Sequence, residues 1–158
     1  MVGVDRHGYA RPQTYAPWRR AAVLLAVLIA GCARPVPPPP AAPSLAGTAW
    51  QLVRFKGSDD TDLTPDDRSK YMLACAPGGS LTARIDCNRG RGTWKSPGPS
   101  QLELGPMALT RAMCPPGSLH DRIVRQLPLV RSYVIRDGRL FLSLMADGGI
   151  YEFEPSVP

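Results

Sequence analysis

Three patterns of apolar and polar residues follow one another along the chain. Ten residues from Ala21 to Ala30 are apolar without a break, directly behind Arg19 and Arg20. That run is too short for a membrane-spanning helix, which needs roughly 20 residues, and it has the length of the apolar core of an export signal. Residues 33–43 then read Ala-Arg-Pro-Val-Pro-Pro-Pro-Pro-Ala-Ala-Pro. Proline at that density favours extended polyproline II and cannot form a packed core, so a semi-rigid tether is expected. From Ala49 onward apolar residues recur mostly at every second position, the period of half-buried strands.

Turn residues divide this last part into elements. Trp50 to Phe55 predicts a strand. The stretch from Gly57 to Asp67, with Asp59, Asp60, Asp62, Asp66 and Asp67, predicts a solvated loop, because it lacks the central Gly and terminal Glu of an EF-hand calcium site. Tyr71, Leu73 and Cys75 alternate, as do Leu81, Ala83, Ile85 and Cys87, and Pro77-Gly78-Gly79-Ser80 between them predicts a hairpin. Arg91 to Lys95 and Leu102 to Leu104 are further short strands, the second followed by a connection through Met107-Ala108-Leu109. One helix is expected, capped by Ser118 with Asp121 in its first turn, carrying Leu119, Ile123 and Leu127 on one face and ending before Pro128. Tyr133 to Ile135 and Leu140 to Leu144 flank Asp137-Gly138, a hairpin turn signal, and Tyr151 and Phe153 mark a last strand. Seven or eight short strands and one helix predict a mainly β (α+β) fold. The expectation is a small cracked antiparallel β-barrel, lipocalin-like in outline, with the helix covering or plugging one side.

The residues after the apolar run change its meaning. Ile29-Ala30-Gly31-Cys32 resembles the bacterial lipobox, which implies cleavage between Gly31 and Cys32 and acylation of Cys32. Several acyl chains bury enough methylenes for stable anchoring, which one chain does not. The organisation expected is a lipoprotein signal peptide at 1–31, a lipidated Cys and Pro/Ala-rich tether at 32–44, and one domain at 45–156. Charge adds little beyond this. The chain carries 19 Lys+Arg, 13 Asp+Glu and +6 overall, of which four Arg and one Asp lie before Cys32, leaving 15 against 12 and a charge of +3. That is ordinary for a soluble domain and gives no nucleic-acid signature.

A family resemblance emerges from residues spread over the whole domain. Gly47-Thr48-Ala49-Trp50-Gln51-Leu52 opens it; Cys87-Asn88-Arg89 with Gly92, then Leu102-x-Leu104, then Leu109-Thr110-Arg111-Ala112-Met113-Cys114 follow in order. These resemble the META domain, the family of the heat-shock lipoprotein HslJ, over about Leu45 to Glu154. Cys75 departs from the pattern, since the family more often places an aromatic residue there. The resemblance implies a cracked barrel with one helix and motif residues Asn88, Gly92, Thr110 and Met113. It implies no chemistry; members are linked to stress tolerance, antibiotic tolerance or virulence.

An exported domain with Cys75, Cys87 and Cys114 is expected to form one disulfide and keep one thiol. With a hairpin turning at Gly78-Gly79, Cys75 sits opposite Thr82 and Cys87 opposite Lys70, too far apart for a bridge. The hypothesis is therefore Cys87–Cys114, which joins the two family motifs, with Cys75 facing the core as a small hydrophobe. A metal site is the alternative for these cysteines. It is not expected, because no C-x-x-C occurs and His120 is the one histidine after Cys32.

No cofactor and no catalytic residue is expected either. Ser118, Cys114 and His120 lie close in sequence, but Ser118 reads as a helix cap, Cys114 as half of a disulfide, and His120 as an exposed helical residue. No G-x-S-x-G, H-E-x-x-H or phosphate loop occurs. Asn88 and Thr110 read as groups that satisfy backbone at a turn and a strand end, or else, together with Arg89 and Arg91, as a small polar site at the barrel mouth. Arg89 and Arg91 alternate with Gly90 and Gly92, which lets the backbone bend or approach another segment.

Two functions remain. One is a non-enzymatic interaction or stress-tolerance module, monomeric, lipid-anchored in the outer membrane and facing the periplasm, that binds an envelope protein. The outer membrane is what the resemblance to lipoproteins of Gram-negative enterics implies, where Asp after the lipidated Cys tends to retain the protein at the inner membrane; here Ala33 follows Cys32. The other is a carrier of a small apolar ligand or lipid in the barrel interior, lined by Tyr133, Ile135, Leu140, Leu142, Leu144, Tyr151 and Phe153.

Overall fold

A computed structural model describes residues 43–156. The apolar run, Gly31, Cys32 and the proline stretch up to Ala42, and with them the signal and lipidation expectations, lie outside the described residues.

The strands are β1 (Thr48–Lys56), β2 (Asp62–Leu63), β3 (Tyr71–Cys75), β4 (Ser80–Ile85), β5 (Asn88–Lys95), β6 (Glu103–Leu104), β7 (Ala108–Leu109), β8 (Val130–Arg136), β9 (Arg139–Leu144) and β10 (Ile150–Pro155), with α1 (His120–Gln126) between β7 and β8. Around the sheet the order is β6-β5-β4-β3-β1-β10-β9-β8, with β2 beside β1 and β7 beside β5. All pairings are antiparallel. Irregular backbone ahead of β6 closes the ring against β8: Leu102 N donates to Arg131 O at 3.0 Å and Tyr133 N to Ser100 O at 2.8 Å. The result is a nearly closed barrel of eight strands, the mainly β architecture the sequence predicts.

Alternation sends Tyr71, Leu73 and Cys75 of β3, Leu81, Ala83 and Ile85 of β4, and Leu140, Leu142 and Leu144 of β9 into the core. Asp137 and Gly138 take φ of 52° and 71° and join β8 to β9, with Arg136 opposite Arg139. Two positive φ values give that turn the twist that matches its strands.

Four expectations need correction. The first hairpin is one residue off: Cys75 pairs with Leu81, and Ala74 with Thr82. Residues directly opposite each other share a face, so inward Cys75 requires an inward partner, which Leu81 is and Thr82 is not. Cys87 does not end β4 but sits with Asp86 in the two-residue turn between Ile85 and Asn88. Cys75 and Cys87 still lie at opposite ends of the hairpin. Met107 to Leu109 is not a bare connection, since Ala108 and Leu109 pair with β5. In the 57–67 loop, β2 pairs with Phe55 and Lys56, while Asp59 and Asp67 accept the backbone N–H of Thr61 and Ser69.

The helix closes one side of the core. Ile123 and Leu127 are buried, and Leu119 and Val124 pack against the same cluster. Ser118 acts one residue ahead of the cap position, its Oγ accepting from His120 N at 3.1 Å, and Leu119 N donates to Tyr71 Oη at 3.0 Å. Pro128 lies in a 3-10 turn that ends the helix and leads into β8.

Candidate functional site

Asn88, Thr110, Cys87 and Cys114 of the family motifs meet where β5 begins. Asn88 is fully buried, and its amide ties the segment after β7 to the barrel. Oδ1 accepts from Thr110 Oγ1 at 2.9 Å and from Ala112 N at 2.8 Å. Nδ2 donates to Ala112 O at 2.9 Å and faces the sulfurs of Cys87 and Cys114 at 3.3 and 3.4 Å. Thr110 repeats the tie one step on: its N donates to Arg89 O at 2.9 Å, and its Oγ1 accepts from Arg89 N at 3.0 Å. Cys87 and Cys114 are bonded to each other, with Cα atoms 5.4 Å apart. A buried amide whose oxygen and nitrogen are both engaged has no polar atom left for a ligand. This cluster is a clasp.

Glycine lets the clasped segment lie close. A Cβ on Gly90 would fall 2.5 Å from Met107 Sδ and 2.7 Å from Leu109 Cδ2, and one on Gly92 would fall 3.0 Å from Pro106 O. The side chains of Met107 and Leu109 fill the space that the two glycines vacate. Met113 takes no part and is almost fully exposed.

Cys114, Ser118 and His120 do not assemble into a nucleophile and base. The Cys114 sulfur is spent in the disulfide and the Ser118 hydroxyl is turned onto the helix start. His120 is not the exposed residue expected. Its ring is 19% exposed, Nδ1 lies 2.9 Å from Asp121 Oδ1, and Nε2 is buried without a hydrogen-bond partner. His120 precedes Ile123, Val124 and Leu127 by three, four and seven residues, so it shares their helix face and lies beside Val124 and the clasped segment. Cys75 is a free thiol in the core, pushed up to about 11 by burial and so held neutral.

Core side chains occupy the barrel interior. The void among Leu52, Tyr71, Leu73, Ile123, Leu127 and Phe153 measures about 10 Å3. Concave surface lies outside instead. A groove of about 780 Å3 runs over the outer face of β3, β4 and β5 up to β7, between Met72 and Ala74 on one side and Arg84, Arg89 and Arg91 on the other. A second, of about 730 Å3, lies across the clasped segment beside His120 and Val124.

Glu152 carries no signal in the sequence. It sits on the outer face of β10, yet its side chain is only 8% exposed, because Arg54 Nε at 2.7 Å and Arg139 Nη1 cover its two oxygens. Burial pushes this carboxyl up, but hydrogen bonds and charge from Arg139 and Arg54 outweigh it and hold the group below its ordinary range. A lone Glu between Tyr151 and Phe153 gave no sign of this, since its partners come from two other strands.

A family model for the META domain matches residues 43–157. Two solved structures share the fold. One is the NMR structure of a protein from Burkholderia xenovorans, with 19% identity and a TM-score of 0.62 over 98% of this chain and 100% of that one. The other is the crystal structure of a duf4847 family protein from Bacteroides vulgatus, with 16% identity and a TM-score of 0.51 over 70% of this chain and 93% of that one. At such identities the likeness concerns fold alone. Comparison with curated proteins finds no match.

Proposed function

The chain belongs to the META domain family, and from that premise we propose that it is a non-enzymatic interaction module of the cell envelope. In this reading Cys32 carries the lipid anchor, the proline tether holds the barrel off the outer membrane on its periplasmic side, and the barrel binds an envelope protein in support of stress tolerance. The sequence supports the anchor, through the ten-residue apolar run and Ile29-Ala30-Gly31-Cys32.

One observation carries the choice between module and carrier. The internal void of about 10 Å3 is near the smallest space that holds one water, while a groove of about 780 Å3 opens outward. An apolar ligand would have to displace Leu52, Tyr71 or Phe153 from the core. An external partner displaces nothing.

The test joins two readouts on full-length protein made in a Gram-negative host. Protein extracted from membranes should have an intact mass that starts at Cys32 and exceeds the polypeptide by its acyl groups, and Cys32→Ser should remove the excess and release the protein from membranes. A photo-crosslinking residue at Thr82, in the groove, should give a discrete protein adduct in cells, and the same residue at exposed Val134 on β8 should not. An unmodified mass would reject the anchor. A small molecule retained in native mass spectra, with no adduct at Thr82, would favour the carrier.

A further inference from the structure

We propose that the outer groove of β3, β4 and β5 binds an extended acidic peptide segment of a partner protein, through Arg84, Arg89 and Arg91. The proposal rests on the interaction-module reading and names the chemistry of its partner.

Strand register puts the three arginines together. Arg84 of β4 is directly opposite Arg89 of β5, and Thr82 is directly opposite Arg91. Directly opposed residues have Cβ atoms about 5 Å apart and diagonal neighbours about 7–8 Å, so three guanidinium groups share one small patch of the outer face. Like charges directly opposed destabilise a sheet. Nothing of opposite sign relieves them: no ion pair among the described residues takes Arg84, Arg89 or Arg91. Arg84 Nε reaches only the backbone oxygen of Asp86, at 3.4 Å. By contrast, Arg54, Arg68, Lys70, Lys95 and Arg139 each hold a carboxylate. An anion bound in the groove would relieve this repulsion.

The floor and the spacing narrow that anion to a peptide. Met72, Ala74, Thr82 and Ala108 line the groove with short or apolar side chains, so carbon as well as carboxylate can be buried. Arg89 and Arg91 lie two residues apart on one strand, a step of about 6.8 Å, which is also the repeat of same-face side chains in an extended peptide. A peptide with acidic residues at alternate positions therefore meets both guanidiniums in one register, each able to take a carboxylate through two parallel bonds. No aromatic side chain lines the groove, so nucleic-acid bases find nothing to stack on.

Fluorescence polarisation on detergent-solubilised full-length protein tests this, with labelled Glu-Val-Glu-Val-Glu-Val as probe and Gln-Val-Gln-Val-Gln-Val as control. The acidic peptide should bind, weaken steeply with added salt, and lose at least tenfold in affinity in Arg89→Gln/Arg91→Gln. Arg125→Gln, an exposed arginine on α1, should change nothing. Ala74→Trp keeps every charge and fills the floor, and should also abolish binding. Equal affinity for both peptides, or binding indifferent to the arginine pair, overturns the proposal. So does arginine-dependent binding to phosphatidylglycerol vesicles without peptide binding, which would make the groove a membrane contact. A cellular adduct at Thr82 that persists in Arg89→Gln/Arg91→Gln would reject the acidic partner while leaving the interaction-module reading in place.

Discussion

Asn88 is the residue whose loss the domain should tolerate least among its polar groups. It has no route to water, and its amide serves Thr110 and both backbone groups of Ala112. Asn88→Ala removes three hydrogen bonds to a segment whose own residues, Thr110 and Ala112, are exposed and can turn to water. At about 1 kcal/mol net for each bond, a loss of about 3 kcal/mol is expected, read as a lower urea midpoint at unchanged slope. The disulfide beside it remains in this variant, so a midpoint as high as that of the unaltered protein would show that Cys87–Cys114 holds the segment alone. The motif Cys-Asn was legible in the sequence as a turn with a backbone-satisfying side chain. Its partner in space was not, because Asn88 and Ala112 are 24 residues apart and only the fold brings them together.

Parity of apolar residues makes some strands of this barrel legible and hides others. β3, β4 and β9 keep strict alternation, and their inward residues follow from the pattern alone. β1 does not: its register on β10 slips between Leu52 and Arg54, so Trp50 and Leu52 face inward and then Phe55 does. An extra residue in one strand leaves no mark in a sequence where every side chain around it is plausible on either face. β7 escaped because two residues cannot show a period, and β5 showed half its face as glycine. Gly149 marks a constraint of the same kind at the start of β10. Its φ is 119°, and a Cβ there would fall 2.4 Å from Lys56 O and 2.7 Å from the Phe55 ring. Both the backbone conformation and the contact with β1 exclude a side chain. Gly149→Ala should therefore cost about 3 kcal/mol and lower the melting temperature by roughly 10 °C or more, whereas Gly117→Ala, with open space around its Cβ, should cost clearly less.

At the scale of the molecule, charge divides the outer surface into a balanced face and an unbalanced one. Glu152 and Glu154 on β10 are met by Arg54, Arg139 and Arg68, while the face of β4 and β5 keeps its arginines without acids. Net charge was readable in the sequence, but this division was not, since it depends on which residues oppose each other across strands. The balanced face contributes to the response to pH, beside Asp59, Asp66 and Asp67 of the 57–67 loop, whose carboxyls are lowered too. Glu152 and Glu154 are both held below the ordinary carboxylate range, so each binds fewer protons folded than unfolded over that range. A group shifted this way contributes stability that is present above its unfolded pKa and is lost as pH falls through the folded one. Acid should thus destabilise the domain in the carboxylate range, and Glu152→Gln should take away part of that slope. The variant should be less stable than the unaltered protein at neutral pH, because Arg54 and Arg139 lose their carboxylate partner; their side chains are half exposed, which keeps the loss small. The difference should narrow as the pH falls and Glu152 becomes neutral in the unaltered protein too. Urea midpoints of both proteins measured from neutral to acid pH decide it. A gap that stays constant with pH would mean that Glu152 acts by packing and hydrogen bonding rather than by charge.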